Sequence, residues 1–481
     1  MRLEGRKDLA RQLYRQLRVA IVEGRIRLGE RLPSTRELAS RLQLSRNTVA
    51  LAYEWLASEG LVSGRAGAGS FVAQSRAAPG DIRSQPVPAA PAPDLRTAPV
   101  WSRVSRDFGR VAAGSFDFRP GITDPQLFPF DSWRRLVSAQ LRPKALNGRY
   151  GDCAGHPALR DAIASHVGAA RGVQADAEDV IITYGAQHAF DLLARVLIEP
   201  GTRAAMEDPG YPPIRSLLES FGAAVVGVRV DEEGLRVDAL PSDARLVYVT
   251  PSHQYPLGMP MSQARRLALL AWARERNAVV IEDDYDSEFR FGGRPLDALH
   301  ASDRGGRVAY VGTFSKTLLP KLRLGFLIAP RPLQEALKTA YCLSAWHCQW
   351  PAQGAMAEFI REGLLARHIR RMRRLYATRH DKVLSIFERR FGRWLEPVPC
   401  VAGLHVSAFF RSTIATEALV AAQAEQAGIG LHRLSPYYVD TRARAGLAIG
   451  YGGLPSDDID EGLRRLHTII ERATSKHRRT S

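Results

Sequence analysis

Apolar and polar residues near the start of the chain alternate with the period of short helices. Apolar positions at four-residue spacing predict a helix over Leu9–Val22. Residues 34–37, STRE, have the pattern of a capping box and predict the start of a second helix. A serine at 45 is placed to cap a third helix over Arg46–Ser58. The inner face of this third helix is predicted to consist of Val49, Ala52, Tyr53 and Leu56.

Residues 61–72, LVSGRAGAGSFV, follow these helices and predict two short strands around a glycine-rich turn, which is a wing. A helix, a turn, a second helix and a wing are typical of DNA-binding domains. The first residues of a recognition helix meet base edges, and basic groups and backbone amides hold phosphates. The recognition positions here are Ser45, Arg46, Asn47 and Thr48, and Arg65 lies in the wing. The alternative is a small three-helix domain with a solvated polar face.

The pattern changes from about residue 113, where apolar strands alternate with amphipathic helices. Helices are predicted over Gln187–Ile198 and Ser262–Arg276. The predicted strands are Val180–Thr183, Arg203–Met206, Ala223–Val230, Arg245–Thr250, Ala278–Ile281 and Val308–Val311. Apolar strands that alternate with helices indicate an α/β fold, with a mainly parallel sheet covered on both faces. Beyond about residue 353 the chain is helical and arginine-rich, and then a smaller mixed segment predicts a C-terminal subdomain.

Residues 75–112 separate these two regions and have a different composition. Proline occurs there at positions 79, 86, 88, 91, 93 and 99, and such a segment cannot bury a core. We therefore predict a DNA-binding domain over residues 1–74, a Pro/Ala-rich linker over 75–112 and a larger domain over 113–481.

The composition narrows the function classes. Of the 481 residues, 45% are hydrophobic and 24% charged, which excludes wholesale disorder. No apolar run approaches the roughly 18 residues of a membrane-spanning helix, and the first residues resemble no signal peptide, so we expect a cytoplasmic protein. The 67 basic residues outnumber the 50 acidic ones, and the net charge of +17 favours a polyanionic partner such as DNA. The four cysteines show no C-x-x-C pair or metal-ligand spacing, which predicts reduced thiols and no metal site.

Candidate chemistry lies where the predicted strands end, because ligands of parallel sheets bind at the carboxyl ends of the strands. The strand Val180–Thr183 leads into Tyr184-Gly185-Ala186-Gln187 and a helix, and free amides at a helix start bind phosphate. The strand from Arg203 leads to Tyr211, which could stack on a flat ring or simply pack on the edge of the sheet.

Two later strand ends carry carboxylates and an amine. Asp283 could hold a proton on a ring nitrogen, and Tyr285 could donate to a phenolic oxygen. Lys316 is one of only seven lysines and directly follows a strand, where a desolvated amine can form a Schiff base. Arg323 follows seven residues later. A phosphate cradle, a stacking ring, an aspartate and a lysine in this order together predict a pyridoxal 5′-phosphate (PLP) site.

Longer motifs resemble known families. The run PSTRELASRLQLSRNTVALAYEWLASEGLVSGRAGAGSFV resembles the winged helix-turn-helix of GntR-type regulators. The segments EDPGYP, TPSHQYPLG, IEDDYDSEFRF and GTFSKTLLPKLRLGFLIAP resemble a fold-type-I aminotransferase domain. Joined through a proline-rich linker, the whole chain is similar to the MocR subfamily of GntR-type regulators, to which the GabR-like proteins belong.

This resemblance implies a role for each matching residue. The DNA-contacting positions would be Arg36, Arg46, Thr48, Arg65 and Gly67. Lys316 would form the Schiff base with PLP, Asp283 would pair with the pyridine nitrogen, Tyr285 with the phenolic oxygen, and Tyr211 would stack on the ring. Gly185, Ala186, Gln187, Ser315 and Arg323 would hold the phosphate, with Tyr150 reaching it from the partner subunit. The resemblance also implies a mainly parallel seven-stranded sheet, a small C-terminal α+β subdomain and a head-to-tail homodimer.

One position departs from the family pattern. Aminotransferases bind the carboxylate of their ligand with an arginine in a strand near the C-terminus, but this strand has Ala448 at that position. Arg442 and Arg444 lie nearby but out of register. The alanine therefore argues against an amino-acid effector whose carboxylate is bound in the geometry that the enzymes use. His253 in SHQYP lies near the predicted site, where it either contacts the ligand or is a packed, hydrogen-bonded histidine.

Three function hypotheses follow. The first is a DNA-binding transcriptional regulator that senses a small amine or amino-acid-like effector, or PLP itself, through Schiff-base chemistry at Lys316. The second is an aminotransferase that also binds DNA and regulates its own expression. The third is a regulator whose larger domain has lost the cofactor and serves only for dimerisation.

Overall fold

The computed structural model of the chain describes residues 8–65, 69–73, 95–104, 114–146, 148–292, 296–347, 349–411 and 413–480. The chain divides into two compact units, residues 1–96 and 97–481. Gly67 and most of the predicted linker, residues 75–94 and 105–112, lie outside the described residues. The linker residues that are described include one helical turn, α4 in the numbering below.

The first unit is a three-helix domain with a two-stranded wing. Its elements are α1 (Leu9–Val22), α2 (Thr35–Leu42), α3 (Arg46–Ser58), β1 (Val62–Arg65) and β2 (Gly69–Val72). The two strands are antiparallel. The predicted bounds of α1 and α3 are confirmed. The predicted inner face of α3 is buried, together with Leu13 and Leu17 of α1, in a single core.

Serine caps explain why two of these helices begin where they do. The Ser34 hydroxyl accepts a hydrogen bond from the Glu37 amide at 3.1 Å. The Ser45 hydroxyl accepts one from the Thr48 amide at 3.0 Å. Each bond satisfies an amide that has no partner within its own helix.

The second unit is built on a large twisted sheet. Its strands run in the order β4 (Val180–Thr183), β11 (Gly325–Ile328), β10 (Val308–Thr313), β9 (Val279–Asp284), β8 (Leu246–Val249), β5 (Arg203–Asp208), β6 (Ala224–Asp231) and β7 (Gly234–Leu235). The neighbours from β10 to β6 are parallel, whereas β11 is antiparallel to both of its neighbours. The predicted mainly parallel sheet is confirmed, but it has eight strands because the two-residue β7 joins its edge.

Helices cover both faces of this sheet. They are α5 (Phe130–Gln140), α6 (Pro157–Arg171), α7 (Ala186–Leu197), α8 (Pro212–Ser220), α9 (Gln263–Glu275), α10 (Gln334–Ala345) and α11 (Trp350–Arg361), and the short α4 (Val100–Arg103) precedes them. Leu159 and Ile163 of α6 are fully buried in the core on one face. Phe190 and Leu193 of α7 are buried in a second core.

The end of the chain forms the smaller subdomain. Its strands are β12 (Leu395–Pro397), β13 (His405–Phe410), β16 (Gly446–Gly450) and β15 (His432–Arg433), all antiparallel in this order, and β3 (Phe116–Asp117) pairs with β14 (Ile429–Gly430). Its helices are α12 (Leu364–Ile386), α13 (Ile414–Gln426) and α14 (Ser456–Thr480). A core rich in aromatic residues joins sheet and helices. The predicted small α+β subdomain is confirmed.

The expectation of four reduced thiols is wrong for two of them. Cys153, before α6, and Cys342, in α10, are joined by a disulfide, with their Cα atoms 5.5 Å apart and a sequence separation of 189. Spacing in sequence gives no sign of a bridge between such distant segments. Cys400 is a free, buried thiol, and Cys348 lies outside the described residues. Among the helices that the structure describes, none is long and apolar enough to cross a membrane.

Candidate functional site

The carboxyl ends of β4, β9 and β10 meet at one cavity of about 450 Å³, a volume within the usual range for a small ligand. The structure brings most of the predicted cofactor residues together there. Those that line the cavity are Ala186, Gln187, Tyr211, Asp283, Tyr285, Ser315, Lys316 and Arg323.

One end of the cavity is suited to an anion. Gly185 precedes α7 with φ at 78°, a left-handed conformation that favours glycine. A Cβ atom at this position would lie 3.1 Å from the Arg323 guanidinium, so glycine also makes room for the arginine. Arg323 donates to the Tyr184 carbonyl at 2.6 Å. The first amides of α7 and this guanidinium thus converge where a phosphate would be held.

Asp283 lies in the cavity wall and is nearly fully buried. Its Oδ2 accepts a hydrogen bond from the Tyr248 hydroxyl at 2.6 Å. Its Oδ1 is buried and has no hydrogen-bond partner among the described residues. Burial raises the pKa of Asp283 to about 7, although the Tyr248 hydrogen bond lowers it. A buried acceptor without a partner is costly, so this oxygen needs a donor from a ligand.

Lys316 lies directly beyond β10 and faces the same cavity. Its Nζ donates to the Gly121 carbonyl at 2.9 Å. Burial lowers the pKa of Lys316, although Asp286 and Asp283 raise it. The amine therefore loses its proton more readily than an exposed lysine, which is what nucleophilic attack on a carbonyl requires.

Two tyrosines add aromatic surface to the cavity. Tyr211 precedes α8 and packs edge-on against Tyr255, with ring centroids 5.5 Å apart. The Tyr285 hydroxyl donates to the His253 carbonyl at 2.9 Å. His253 itself is buried and does not line the cavity. The packed alternative for His253 is therefore the one that the geometry favours.

The opposite wall of the cavity was not predicted from the sequence. It contains Arg119, Tyr255, His405, His432 and Tyr437. The guanidinium of Arg119 forms two hydrogen bonds to the Asp117 carboxylate, at 2.7 and 2.6 Å. His432 Nδ1 lies 2.7 Å from the Tyr437 hydroxyl. These residues come from short strands and loops, where no periodicity marks them.

Two further residues lie away from this cavity. Ala448 is fully buried in β16, opposite Ser407 of β13. The Ser407 hydroxyl donates to the Pro256 carbonyl at 2.6 Å, so the turn of Pro256 covers this face of the small sheet. Tyr150 is 79% exposed and stacks on Trp346, with ring centroids 5.1 Å apart. Its expected role at the partner's phosphate stays a prediction.

The predicted DNA-binding residues that are described lie on the surface of the first unit. Arg36, Ser45, Arg46, Asn47 and Arg65 are exposed, and Thr48 is half-buried. The Arg65 guanidinium lies 4.9 Å from the centre of the Phe71 ring. The cap at Ser45 thus leaves the side chains of the first turn of α3 directed to solvent, as groove recognition requires.

Comparison with known proteins agrees with this architecture. Residues 123–466 match the family described as "Aminotransferase class I and II". Residues 9–72 match "Bacterial regulatory proteins, gntR family".

Full-length relatives share both parts. The chain is 38% identical over 465 residues to the probable rhizopine catabolism regulatory protein MocR of Rhizobium meliloti, across 96% of this chain and 93% of that protein. It is 32% identical over 450 residues to the pyridoxine biosynthesis transcriptional regulator PdxR of Corynebacterium glutamicum, across 93% of both chains.

A solved structure matches the second unit. LysN, the alpha-aminoadipate aminotransferase from Thermus thermophilus, was crystallised with N-(5′-phosphopyridoxyl)-L-leucine. It is similar with a TM-score of 0.73 and 26% identity, and the match covers 79% of this chain and 98% of LysN.

Proposed function

Since the chain belongs to the aminotransferase class I and II family and to the MocR-type GntR regulators, we propose that it is a transcriptional regulator that carries PLP on Lys316. The cofactor would make DNA binding responsive to a small primary amine. The observation that carries this proposal is the pair of groups that line one cavity, Asp283 with its Oδ1 unpartnered among the described residues and the half-buried Lys316 with its amine.

The residues present fit the cofactor. Asp283 would accept a hydrogen bond from the pyridine nitrogen, and the start of α7 with Arg323 would hold the phosphate. Tyr211 and Tyr285 would contact the ring. The cofactor would supply an aldehyde carbon that condenses reversibly with a primary amine. Lys316 would provide the first such amine, and the Gly121 carbonyl would orient it.

The part of the cavity lining that the sequence did not predict would then face the effector. It offers hydroxyl and imidazole groups, and its arginine is already paired with Asp117. Burial and the nearby Arg119 lower the pKa of His432 to about 4, so this histidine is uncharged at neutral pH. One relative is named as a probable regulator of rhizopine catabolism and another as a regulator of pyridoxine biosynthesis, so family membership alone does not identify the effector. PLP itself is the variant effector.

The second candidate is an aminotransferase that also binds DNA. Ala448 weighs against efficient turnover of amino acids, because its side chain is buried beneath the Pro256 turn and provides no cation for a carboxylate. Rapid mixing of the PLP-loaded protein with candidate amines separates the two functions. Conversion to pyridoxamine phosphate within seconds supports the enzyme, whereas binding without conversion supports the sensor.

Reconstitution of the full-length protein with PLP tests the proposal directly. We expect visible absorbance, and a covalent label at Lys316 after borohydride reduction. Lys316→Ala should lose the label, and Lys321→Ala, which alters an exposed lysine five residues away, should keep it. A colourless wild-type protein at saturating PLP would contradict the proposal and leave the third hypothesis, a DNA binder without cofactor.

DNA binding forms the second arm of the test. DNA fragments selected by the protein should bind with different affinity when a candidate amine is added to the PLP-loaded form. If PLP alone changes the affinity and no amine does, the effector is the cofactor. An unchanged affinity in both cases would separate the cofactor site from regulation.

A further inference from the structure

Three buried polar side chains, Asp286, His253 and Cys400, lie in a row that leads from the cavity into the protein behind Tyr285. We call these three residues the polar series. The Tyr285 hydroxyl oxygen lies 2.8 Å from His253 Nδ1. The same Nδ1 lies 3.0 Å from Asp286 Oδ1. On the other edge of the ring, His253 Nε2 lies 3.3 Å from Cys400 Sγ. Tyr285 and Asp286 line the cavity, so the polar series links the cavity to a thiol that has no role in the proposed function.

Two glycines of the backbone leave room for the polar series. A Cβ atom at Gly403 would lie 2.0 Å from His253 Cε1, and one at Gly258 would lie 2.9 Å from Cys400 Sγ. Both glycines have a left-handed φ, 86° and 99°. Only glycine lets the imidazole and the thiol pack this closely, so their contact is fixed by the fold.

Neighbouring groups of the polar series favour charges of alternating sign. His253 is 1% exposed and Cys400 is 7% exposed. Burial lowers the pKa of His253, but Asp286 and Cys400 outweigh burial and raise it. Burial raises the pKa of Cys400, but His253 outweighs burial and lowers it. These shifts favour an imidazolium at His253 and a thiolate at Cys400, whose Sγ also lies 2.9 Å from the Ala402 carbonyl oxygen.

Other titratable groups face the polar series from the elements packed around it. They are Asp283 of β9, Tyr285 and Glu288 beyond β9, Tyr255 in the turn beyond β8, Lys316 beyond β10, His380 of α12, His405 of β13 and Tyr451 beyond β16. Burial and the charge of His253 lower the pKa of His405 to about 3, so it is neutral. Burial lowers the pKa of His380, but Cys400 and Asp381 outweigh it and raise the value. Among these surrounding groups, Lys316 is the cation that faces Asp286.

We infer that Asp286, His253 and Cys400 set the pH at which the cofactor-bound Lys316 nitrogen takes up a proton. Asp286 stabilises the positive nitrogen, His253 offsets Asp286, and Cys400 offsets His253. His253 and Cys400 act through Asp286 and are therefore positioning residues. The inference rests on the proposed function, because the Lys316 nitrogen is observed through the bound cofactor.

The alternation predicts shifts of opposite sign. His253→Gln removes the cation that offsets Asp286, so the midpoint of the absorbance titration should rise by about one pH unit. Cys400→Ser removes the thiolate, so His253 offsets Asp286 more fully and the midpoint should fall by about half a unit. Cys400→Asp restores an anion and should return the midpoint toward the wild-type value. A merely structural role predicts shifts of the same sign in all three variants.

The experiment is a pH titration of the visible absorbance of PLP-loaded full-length protein, for wild type and the three variants. His166→Gln in α6 serves as the control, because burial is the cause of its pKa shift and none of Asp286, His253 and Cys400 contributes to it among the described residues, so its midpoint should match wild type. Midpoints of His253→Gln and Cys400→Ser that stay within error of wild type, or that move in the same direction as each other, overturn the inference.

A second measurement needs no cofactor and leaves Asp286, His253 and Cys400 unaltered. Cys348 is replaced by serine, which leaves Cys400 as the free thiol beside the bridged pair. The ultraviolet absorbance of its thiolate at pH 7 should be present in the native protein and lost on unfolding, because a free thiol ionises near pH 8.5. Absence of native thiolate overturns the inference even if PLP binds. If the native protein shows the thiolate but never binds PLP, the proposed function is contradicted, whereas the charges assigned to the polar series are retained.

Discussion

The carboxyl group of Asp283 lies in surroundings that oppose its ionisation. Burial raises its pKa to about 7, and only one of its two oxygens has a partner among the described residues. In the unfolded chain an aspartate titrates near 3.9. Because the folded value is the higher one, the stability that Asp283 contributes is present below about pH 4 and is lost as the pH rises to about 7.

Asp283→Asn should therefore stabilise the cofactor-free protein at pH 8 by about 2–4 kcal/mol and leave it nearly unchanged at pH 4. Addition of PLP should reverse the order at pH 8, because only the carboxylate pairs with a protonated pyridine nitrogen. Urea midpoints at the two pH values, with and without PLP, measure both effects.

Glu207→Gln is the matched control for this prediction. Burial also raises the pKa of Glu207 to about 7, and like Asp283 it has one bonded oxygen and one without a partner among the described residues, but it does not line the cavity. This variant should gain stability at pH 8 and bind PLP as wild type does. Equal PLP affinity in the Asp283 variant would show that the carboxylate does not face the cofactor.

At this scale the sequence marked the residues that follow strands, because a lysine or aspartate after an apolar run is conspicuous. It held no sign of Tyr248, which lies inside a strand and holds Asp283 through a hydrogen bond. His405 and Gly121 were missed for the same reason, since their positions depend on how distant segments meet. Contacts between residues far apart in sequence require the fold.

Two neighbouring residues at the start of α3 have different predicted roles: one stabilises the helix and the other binds DNA. Ser45 caps its first turn, and Arg46 extends from that turn into solvent. We expect Ser45→Ala to cost the helix about 1 kcal/mol, because the Thr48 amide loses its side-chain acceptor and keeps only the Ser45 carbonyl. Faster hydrogen exchange across residues 46–58 measures this loss.

Arg46→Ala should leave the exchange of α3 unchanged and weaken binding to duplex DNA. If Arg46 contacts a phosphate, the dependence of affinity on salt should fall by about one counterion. Arg11→Ala alters an exposed arginine of α1 and should change neither property. Loss of affinity in the Arg11 variant alone would place the DNA on another face.

Elements were predictable where they carry their own start signals or long apolar runs. The caps fixed α2 and α3, and fully buried strands such as β4 and β10 stood out. The strands β5 and β9 continue to Asp208 and Asp284, beyond their predicted ends, because the ladder of parallel strands accommodates buried carboxylates there. The two-residue strands of the smaller subdomain are too short to show any period.

The disulfide acts on the whole second unit. It joins the segment before α6 to α10 and closes a separation of 189 residues. A crosslink across so long a segment restricts the unfolded chain far more than the folded one. Its energetic effect therefore falls on the unfolding equilibrium of this unit and not on the separate DNA-binding unit.

We expect Cys342→Ser to lower the free energy of unfolding of the second unit by about 3–5 kcal/mol. Reduction of the wild-type protein should give the same loss, and reduction of the variant should add nothing, because both treatments open one bond. Cys400→Ser controls for the removal of a thiol as such and should respond to reductant as wild type does. Since the predicted loss comes from the unfolded chain, it should appear in urea midpoints while the PLP affinity of the folded protein stays unchanged. A wild-type midpoint that is insensitive to reductant would instead support the original expectation of free thiols at positions 153 and 342.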